Sequence, residues 1–236
     1  MKAEARPLYA QVREVILERI VSGVWTAGAA LPSEMALAAE IGVSQGTVRK
    51  ALDQLAADHL VERRQGRGTF VPEQTAERAH FHFFRFEAID GASLIPEPLS
   101  QSLDLVAPPP GPAAALGTGA RLLWRIDRRR ALAGVPTLIE RVYLDPARFP
   151  EPGAAADLPN ALYSHYQSLA GVTVVRAEDR LMAAAAPPDI AAALDLAPGS
   201  PLLGIERTAF DARAEPIEFR ESWCRTDGVR YRVTLG

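Results

Sequence analysis

Residues 31–71, LPSEMALAAEIGVSQGTVRKALDQLAADHLVERRQGRGTFV, change hydrophobic period from helical to extended within one short span. Ser33 is placed to cap a helix, Glu34 suits its positive end, and Gly42 can stop it in a left-handed conformation. Gly42-Val43-Ser44 then makes a tight turn, with Ser44 as the next N-cap. In the next helix, Val48, Leu52 and Leu55 fall on one side, with Ala51 beside them. Gly46, Arg49, Lys50 and Asp53 fall on the other. Two short helices joined by such a turn form a helix-turn-helix. Beyond it, residues 60–64 and 69–71 are β-prone and flank Gln65-Gly66-Arg67-Gly68, whose glycines permit positive φ in a hairpin turn. That hairpin is a wing with Gln65 and Arg67 at its tip.

Upstream, PLYAQVREVILERIVSGVW (residues 7–25) repeats apolar residues at Leu8, Val12, Val15, Ile16 and Ile20. The spacing predicts a helix from Leu8 to Ser22, stopped by Gly23. A winged helix-turn-helix is therefore expected in residues 1–72, a polar linker in 73–79, and a second domain in 80–236.

The 236-residue chain carries a formal charge of -3, so its totals do not describe a globally basic nucleic-acid binder. Residues 1–72 hold nine Lys and Arg against eight Asp and Glu, and the acidic excess belongs to the remainder. Local placement must carry any argument about phosphate, and Arg49, Lys50, Arg63, Arg64 and Arg67 lie close together. Cys224 is the only cysteine, which excludes an intrachain disulfide and a cysteine-built zinc site; it reads as a half-buried strand residue. The N-terminus lacks the apolar core of a signal peptide, and no apolar run reaches membrane-spanning length. The expectation is a cytoplasmic protein with no membrane partner.

From residue 80 onward short strands alternate with short helices. Strands are expected at HFHFFRF (80–86), in 120–132, 136–144, 172–184, 201–210 and 216–224, and helices in 160–171 and 187–196. This composition makes an α+β domain with a largely antiparallel sheet. Residues 112–143 and 190–223 share one plan: an AAAL helix end, a Gly-containing turn, a strand with Ile-Asp/Glu-Arg, a hairpin, and a Pro-opened strand. The shared plan points to internal duplication.

Strand alternation puts Arg128 and Arg130 on one face and Arg129 on the other. Two guanidiniums converging in a pocket can hold a phosphate or carboxylate; a solvent-facing charged strand is the competing reading. His80 and His82 could share a face, but no carboxylate or cysteine cluster adjoins them, and no metal site is expected. Ser164-His165 is not a triad, because adjacency does not supply nucleophile–base geometry. Gly117-Thr118-Gly119 is a turn, not a phosphate loop. Neither catalytic residues nor a cofactor are expected.

Residues 7–72 closely resemble the winged helix of GntR-type bacterial transcription regulators. The shared features are Pro-Ser-Glu at 32–34, Gly-Val-Ser at 42–44, Thr-Val-Arg at 47–49, and Gly-x-Gly-Thr-Phe-Val at 66–71. Through RRRALAGVPTLIERVYL (128–144), LYSHYQ (162–167), PPDIAAALDLAPGSPLLGIERTAFD (187–211) and PIEFRESW (216–223), residues 80–236 resemble, less tightly, the HutC-type effector domain, also called UTRA, with its chorismate-lyase-like fold. The resemblance implies a dimer on a pseudo-palindromic operator, with the recognition helix in the major groove and the wing at the adjacent minor groove. It assigns DNA contact to Ser33, Ser44, Gln45, Thr47, Arg49, Lys50, Arg64, Gln65, Gly66 and Arg67; strand alternation sends one of Arg63 and Arg64 away from the DNA and leaves open which. Arg49 can donate two hydrogen bonds to a guanine edge, Gln45 can read adenine, and Gly46 removes bulk where the helix meets DNA. The family often has Arg where this chain has Met35 and Gln45.

The resemblance further implies a small anionic effector, a carboxylate or phosphate, gripped by Arg128 and Arg130. Glu140 and Tyr163 match polar contacts, and Glu218, Ser222 and Tyr231 sit where the last strands close the pocket. Ala161 replaces a serine found in phosphosugar binders, which argues against a phosphosugar. The reading is a ligand-responsive repressor; a chorismate-lyase-type enzyme with a DNA-binding head and an effector-less dimeric regulator are its alternatives.

Overall fold

The computed structural model describes residues 6–73, 75, 77, 83–150 and 152–233. Its first helix, α1 (Leu8–Val21), packs against α3 (Gln45–Ala57), with α2 (Glu34–Ile41) between them in sequence. The punctuation read from the sequence makes the boundaries. Ser33 Oγ accepts from the Ala36 N–H at 3.1 Å, and Ser44 Oγ from the Thr47 N–H at 3.2 Å. Gly42 ends α2 at φ 78°, where a side chain would be strained. Val12, Ile16, Leu37, Val48, Leu52 and Leu55 form the buried centre of this head. Each fully buried Leu or Ile contributes roughly 1.5–3 kcal/mol.

The wing is β1 (Glu62–Arg64) paired antiparallel with β2 (Gly68–Phe70). It is not free-standing. The Leu31 N–H donates to Thr69 O at 2.8 Å and the Val71 N–H to Ala29 O at 2.9 Å, so the loop before α2 lines its outer edge.

The second domain is built on six antiparallel strands in the order β4-β5-β6-β9-β8-β7. These are β4 (Glu97–Val106), β5 (Leu123–Leu132), β6 (Val135–Leu144), β7 (Arg176–Ala185), β8 (Pro201–Phe210) and β9 (Pro216–Cys224). Helices α4 (Pro110–Leu116) and α6 (Pro188–Ala193) cover one face through Leu116, Ile190 and Leu194. Helix α5 (Leu162–Ala170) covers the other, where Tyr163 and Tyr166 pack with Ile126 and Val142. A small ribbon, β3 (Phe86–Ala88) with β10 (Val229–Tyr231), lies beside it. The strand expected at 80–86 touches this ribbon only at Phe86, and His80 and His82 lie outside the described residues. Cys224 is fully buried rather than half-buried, and burial pushes its thiol up to about 12.

The duplicated plan recurs in the topology. β4-α4-β5-β6 and β7-α6-β8-β9 are equivalent units meeting at β6 and β9. Arg141 pairs with Glu221 at the quasi-two-fold axis, with Glu140 opposite Ser222 on one side and Val142 opposite Arg220 on the other. The same correspondence makes Arg207 the counterpart of Arg128, because Arg128 stands opposite Glu140 and Arg207 opposite Arg220.

The domains touch. Val175 and Ala212 pack on the head core, and Arg213, in the β8–β9 turn, donates to Glu18 of α1 at 2.9 Å.

Candidate functional site

On the outer face of α3, Gln45, Gly46, Arg49 and Lys50 are exposed while Val48, Ala51 and Leu52 are buried. Glu34 organises the polar members. Its carboxylate accepts from Gln45 Nε2 at 3.2 Å, from Arg49 Nε at 3.0 Å and from Arg63 at 3.0 Å. The Arg49 hydrogen bond is the chief reason the Glu34 carboxyl titrates below its ordinary range. Arg49 nevertheless stays 59% exposed, so the pair is solvent-screened and exchangeable. Lys50 sits with Nζ 4.1 Å from the centre of the Tyr9 ring, and Thr47 Oγ1 shares a hydrogen bond with Ser44 Oγ at 2.9 Å.

The wing separates its two arginines as alternation requires. Arg63 turns toward the recognition helix, reaching Glu34, Asp53 and the Arg49 carbonyl. Arg64 lies over the Phe70 ring at 4.5 Å, near Glu62. Gln65, Gly66 and Arg67 are exposed at the tip, and Gly66 has φ 70°. No added Cβ at Gly66 or Gly68 would meet an atom, so these glycines serve turn geometry rather than packing.

In the second domain a cavity of about 420 Å³ opens between the sheet, the start of α5 and residues 83–96. Arg128, Arg130, Arg207 and Arg220 approach it from β5, β8 and β9; Phe83, Phe84, Ile95, Leu162 and Tyr163 make its apolar walls, and Asn160 and Glu77 also line it. Arg128 and Arg130 are thus buried side by side, as alternation from one strand face predicts.

Beneath the arginines lies a dense ionic layer. Glu140 accepts from Arg130 at 3.0 Å and from Arg220 at 2.7 Å, with Arg128 4.0 Å away. Burial alone would raise its pKa, but the charges of Arg220, Arg130 and Arg128 override that and hold it far below the carboxylate range. Glu218 takes both arms of Arg220 at 3.0 Å and the hydroxyls of Tyr163 at 3.2 Å and Tyr166 at 2.6 Å. Asp179 takes Arg207 in a bidentate pair at 2.6 and 2.7 Å and also the Tyr231 hydroxyl.

Arg128 is the least compensated. It donates to the carbonyls of Pro159 and Asn160 at 3.1 Å, and burial lowers its pKa to about 10, with Glu140 opposing the drop. Arg130 is held by Glu140 and the Asn160 side chain, yet its Nε is buried without a partner among the described residues.

Of the residues that the resemblance assigned to the pocket, Arg128, Arg130 and Tyr163 line the cavity. Among the described residues Glu140, Glu218, Ser222 and Tyr231 are not in its lining. The two glutamates sit one layer deeper under arginines, Ser222 is buried opposite Glu140, and Tyr231 is drawn to Asp179. Asn160, Arg207 and Arg220 also line the cavity, beyond the residues that the resemblance implies. The repeat was the available signal for Arg207, since its Ile-Glu-Arg matches the Ile-Asp-Arg that ends at Arg128.

No group of three or more His, Cys, Asp or Glu residues suited to a metal occurs among the described residues. Ser164 donates to the Ala161 carbonyl and His165 pairs with the Pro152 carbonyl, so they do not address each other. No described helix is long and apolar enough to cross a membrane.

A winged helix-turn-helix joined to a cavity-bearing α+β domain is the build of a transcription regulator, and the comparisons agree. The model of bacterial regulatory proteins of the gntR family matches residues 8–71, and that of the UTRA domain matches residues 100–230. The chain belongs to the GntR family, in its HutC-type, UTRA-bearing branch. It is 32% identical over 178 residues to the HTH-type transcriptional regulator SmoD of Agrobacterium fabrum, spanning 74% of this chain and 73% of that one. The histidine utilization repressor of Pseudomonas putida is 30% identical, covering 89% and 85% respectively. Among solved structures, the ligand-binding domain of a GntR-family regulator from Bordetella bronchiseptica superposes with a TM-score of 0.61 at 30% identity, over 66% of this chain and 98% of that one. These relatives are regulators, and this chain is a regulator rather than an enzyme.

Proposed function

We propose that the protein is a repressor that binds a pseudo-palindromic operator as a two-fold dimer and leaves it when a small anion fills the cavity. The observation that carries the effector half is the convergence of four guanidiniums on one largely apolar cavity. Arg130, Arg207 and Arg220 are already paired with carboxylates, whereas Arg128 is held by carbonyls, so an entering anion gains most beside Arg128. The DNA half rests on the exposed α3 face, where Gln45, Gly46, Arg49 and Lys50 stand free of core packing and Arg63 of the wing reaches the Arg49 carbonyl.

On DNA, Arg49 exchanges Glu34 for a base edge, and Gln45 is released with it to reach an adjacent base. Ser33, Ser44 and Thr47 supply hydroxyls at helix starts for phosphate contact, while Arg64, Gln65, Gly66 and Arg67 face the minor groove. Lys50 adds a phosphate contact whose strength falls with salt. In the cytoplasm such a switch needs no cofactor beyond the effector.

The test is a footprint of the full-length protein on DNA upstream of its own gene at low ionic strength, repeated with Arg49→Ala. A protected two-fold site that the variant no longer protects at the concentration sufficient for the parent protein, with unchanged thermal melting, supports the reading. Retained affinity in the variant overturns the Arg49 assignment.

A further inference from the structure

The charges around the cavity can be balanced group by group. Arg128, Arg130, Arg207 and Arg220 reach its lining, and the carboxylates bonded to them are Glu140, Glu218 and Asp179. Among the described residues, four guanidiniums against the three carboxylates bonded to them leave one positive charge over, and it falls at the Arg128–Arg130 end. There, among the described residues, Arg128 has only carbonyls within 3.1 Å, and the buried Nε of Arg130 has no partner. Glu77 also lines the cavity, but it is exposed at the rim, where it repels any surplus negative charge.

The remaining walls set the character of the body that such an anion must carry. Phe83 meets Tyr163 edge-on at 5.0 Å, and Phe84, Ile95 and Leu162 complete an apolar lining. The neutral polar side chains are already engaged. Asn160 accepts from Arg130 and donates to the Pro96 carbonyl at 2.7 Å, and the Tyr163 hydroxyl donates away from the cavity to Glu218. A polyol entering here would exchange hydrogen bonds with water for an apolar surface and lose by it.

We infer that the effector is a monoanion with an apolar or aromatic body, a carboxylate rather than a phosphosugar. This rests on the ligand-responsive reading above and narrows it. One negative charge closes the balance against Arg128 and Arg130. A dianion would leave a net negative charge buried beside three carboxylates. The apolar walls then select the body of the molecule by size and shape.

The test uses the full-length protein on its operator, with benzoate, phenylacetate, benzyl alcohol, glucose 6-phosphate and phenyl phosphate as probes. Binding is read by calorimetry, and operator release by fluorescence anisotropy. The aromatic carboxylates are expected to bind at least about tenfold more tightly than glucose 6-phosphate, and benzyl alcohol to give no heat. Phenyl phosphate, whose second pKa lies at about 6, is expected to bind more tightly at pH 5 than at pH 7.5. Arg128→Gln should remove the benzoate heat; should that variant not fold, the pH comparison with phenyl phosphate decides alone. Tighter binding of the phosphate dianion, or release driven by glucose 6-phosphate and not by carboxylates, overturns the inference and leaves the ligand-responsive reading standing. Absence of heat and release with every anion overturns both.

Discussion

The two ends of this molecule use the same side chain in opposite ways. In the head, Arg49 lies on the surface, held by one carboxylate that also serves Gln45 and Arg63. In the effector domain, Arg128 and Arg130 are buried, and their carboxylate is locked by a third arginine. Water screens the first cluster, so its bonds can be traded for those of another partner at little loss. The second cluster has no such freedom, because a buried charge stripped of its partner stays desolvated. A readout surface needs exchangeable contacts, whereas a ligand cavity needs fixed ones.

That contrast breaks most sharply at the two organising glutamates. Glu140→Gln leaves Arg130 and Arg220 without their shared charge and should destabilise the protein by about 3–5 kcal/mol in urea unfolding. Glu34→Gln should leave the urea midpoint almost unmoved; equal effects would erase the distinction. Acid should act in the same sense. Glu140 and Asp179 titrate below their ordinary ranges in the folded state, so the unfolded chain binds more protons as pH falls. Their contribution is complete above the ordinary carboxylate values and is lost as pH drops through them toward the lower folded values. A urea midpoint that holds between pH 7 and 5.5 and falls below about pH 4.5 would show it.

The head is better probed through affinity. Arg49→Ala should weaken specific operator binding by about ten- to a hundredfold, the range for a lost bidentate base contact, without shifting the melting temperature. Smallest is Gly46→Ala. An added Cβ would meet only Ser44 Oγ at 3.8 Å, so the free head should gain up to about 1 kcal/mol of stability. The same methyl group should lower operator affinity in a gel-shift titration. A more stable head with undiminished affinity would mean that Gly46 does not face DNA.

The head was almost wholly legible because its signals are local. Caps at Ser33 and Ser44, a left-handed stop at Gly42 and glycines in the wing act within a few residues of where they stand. Strands β5, β6, β8 and β9 were legible too, through alternation over long runs. β4 was not recognised as a strand: it is an edge strand with most side chains exposed, and its faint alternation shows only around Gln101 and Leu103. The cavity was half legible. Alternation brought Arg128 and Arg130 together, but Arg207 and Arg220 each sit near acidic neighbours and look like ordinary solvated pairs in one dimension. Only the register across four strands reveals that Glu140 and Glu218 lie under the arginines, a layer below the lining.

The quasi-two-fold sheet has a consequence for how this domain can change. Glu140 and Arg220 occupy equivalent places in the two units and join across the axis at 2.7 Å. Two identical copies of either unit would set like charges face to face at the centre, two carboxylates in one case and two guanidiniums in the other. The repeats have therefore become complementary halves, neither of which can stand in for its sibling. A substitution that improves one of them must be judged by what it does to the opposite number.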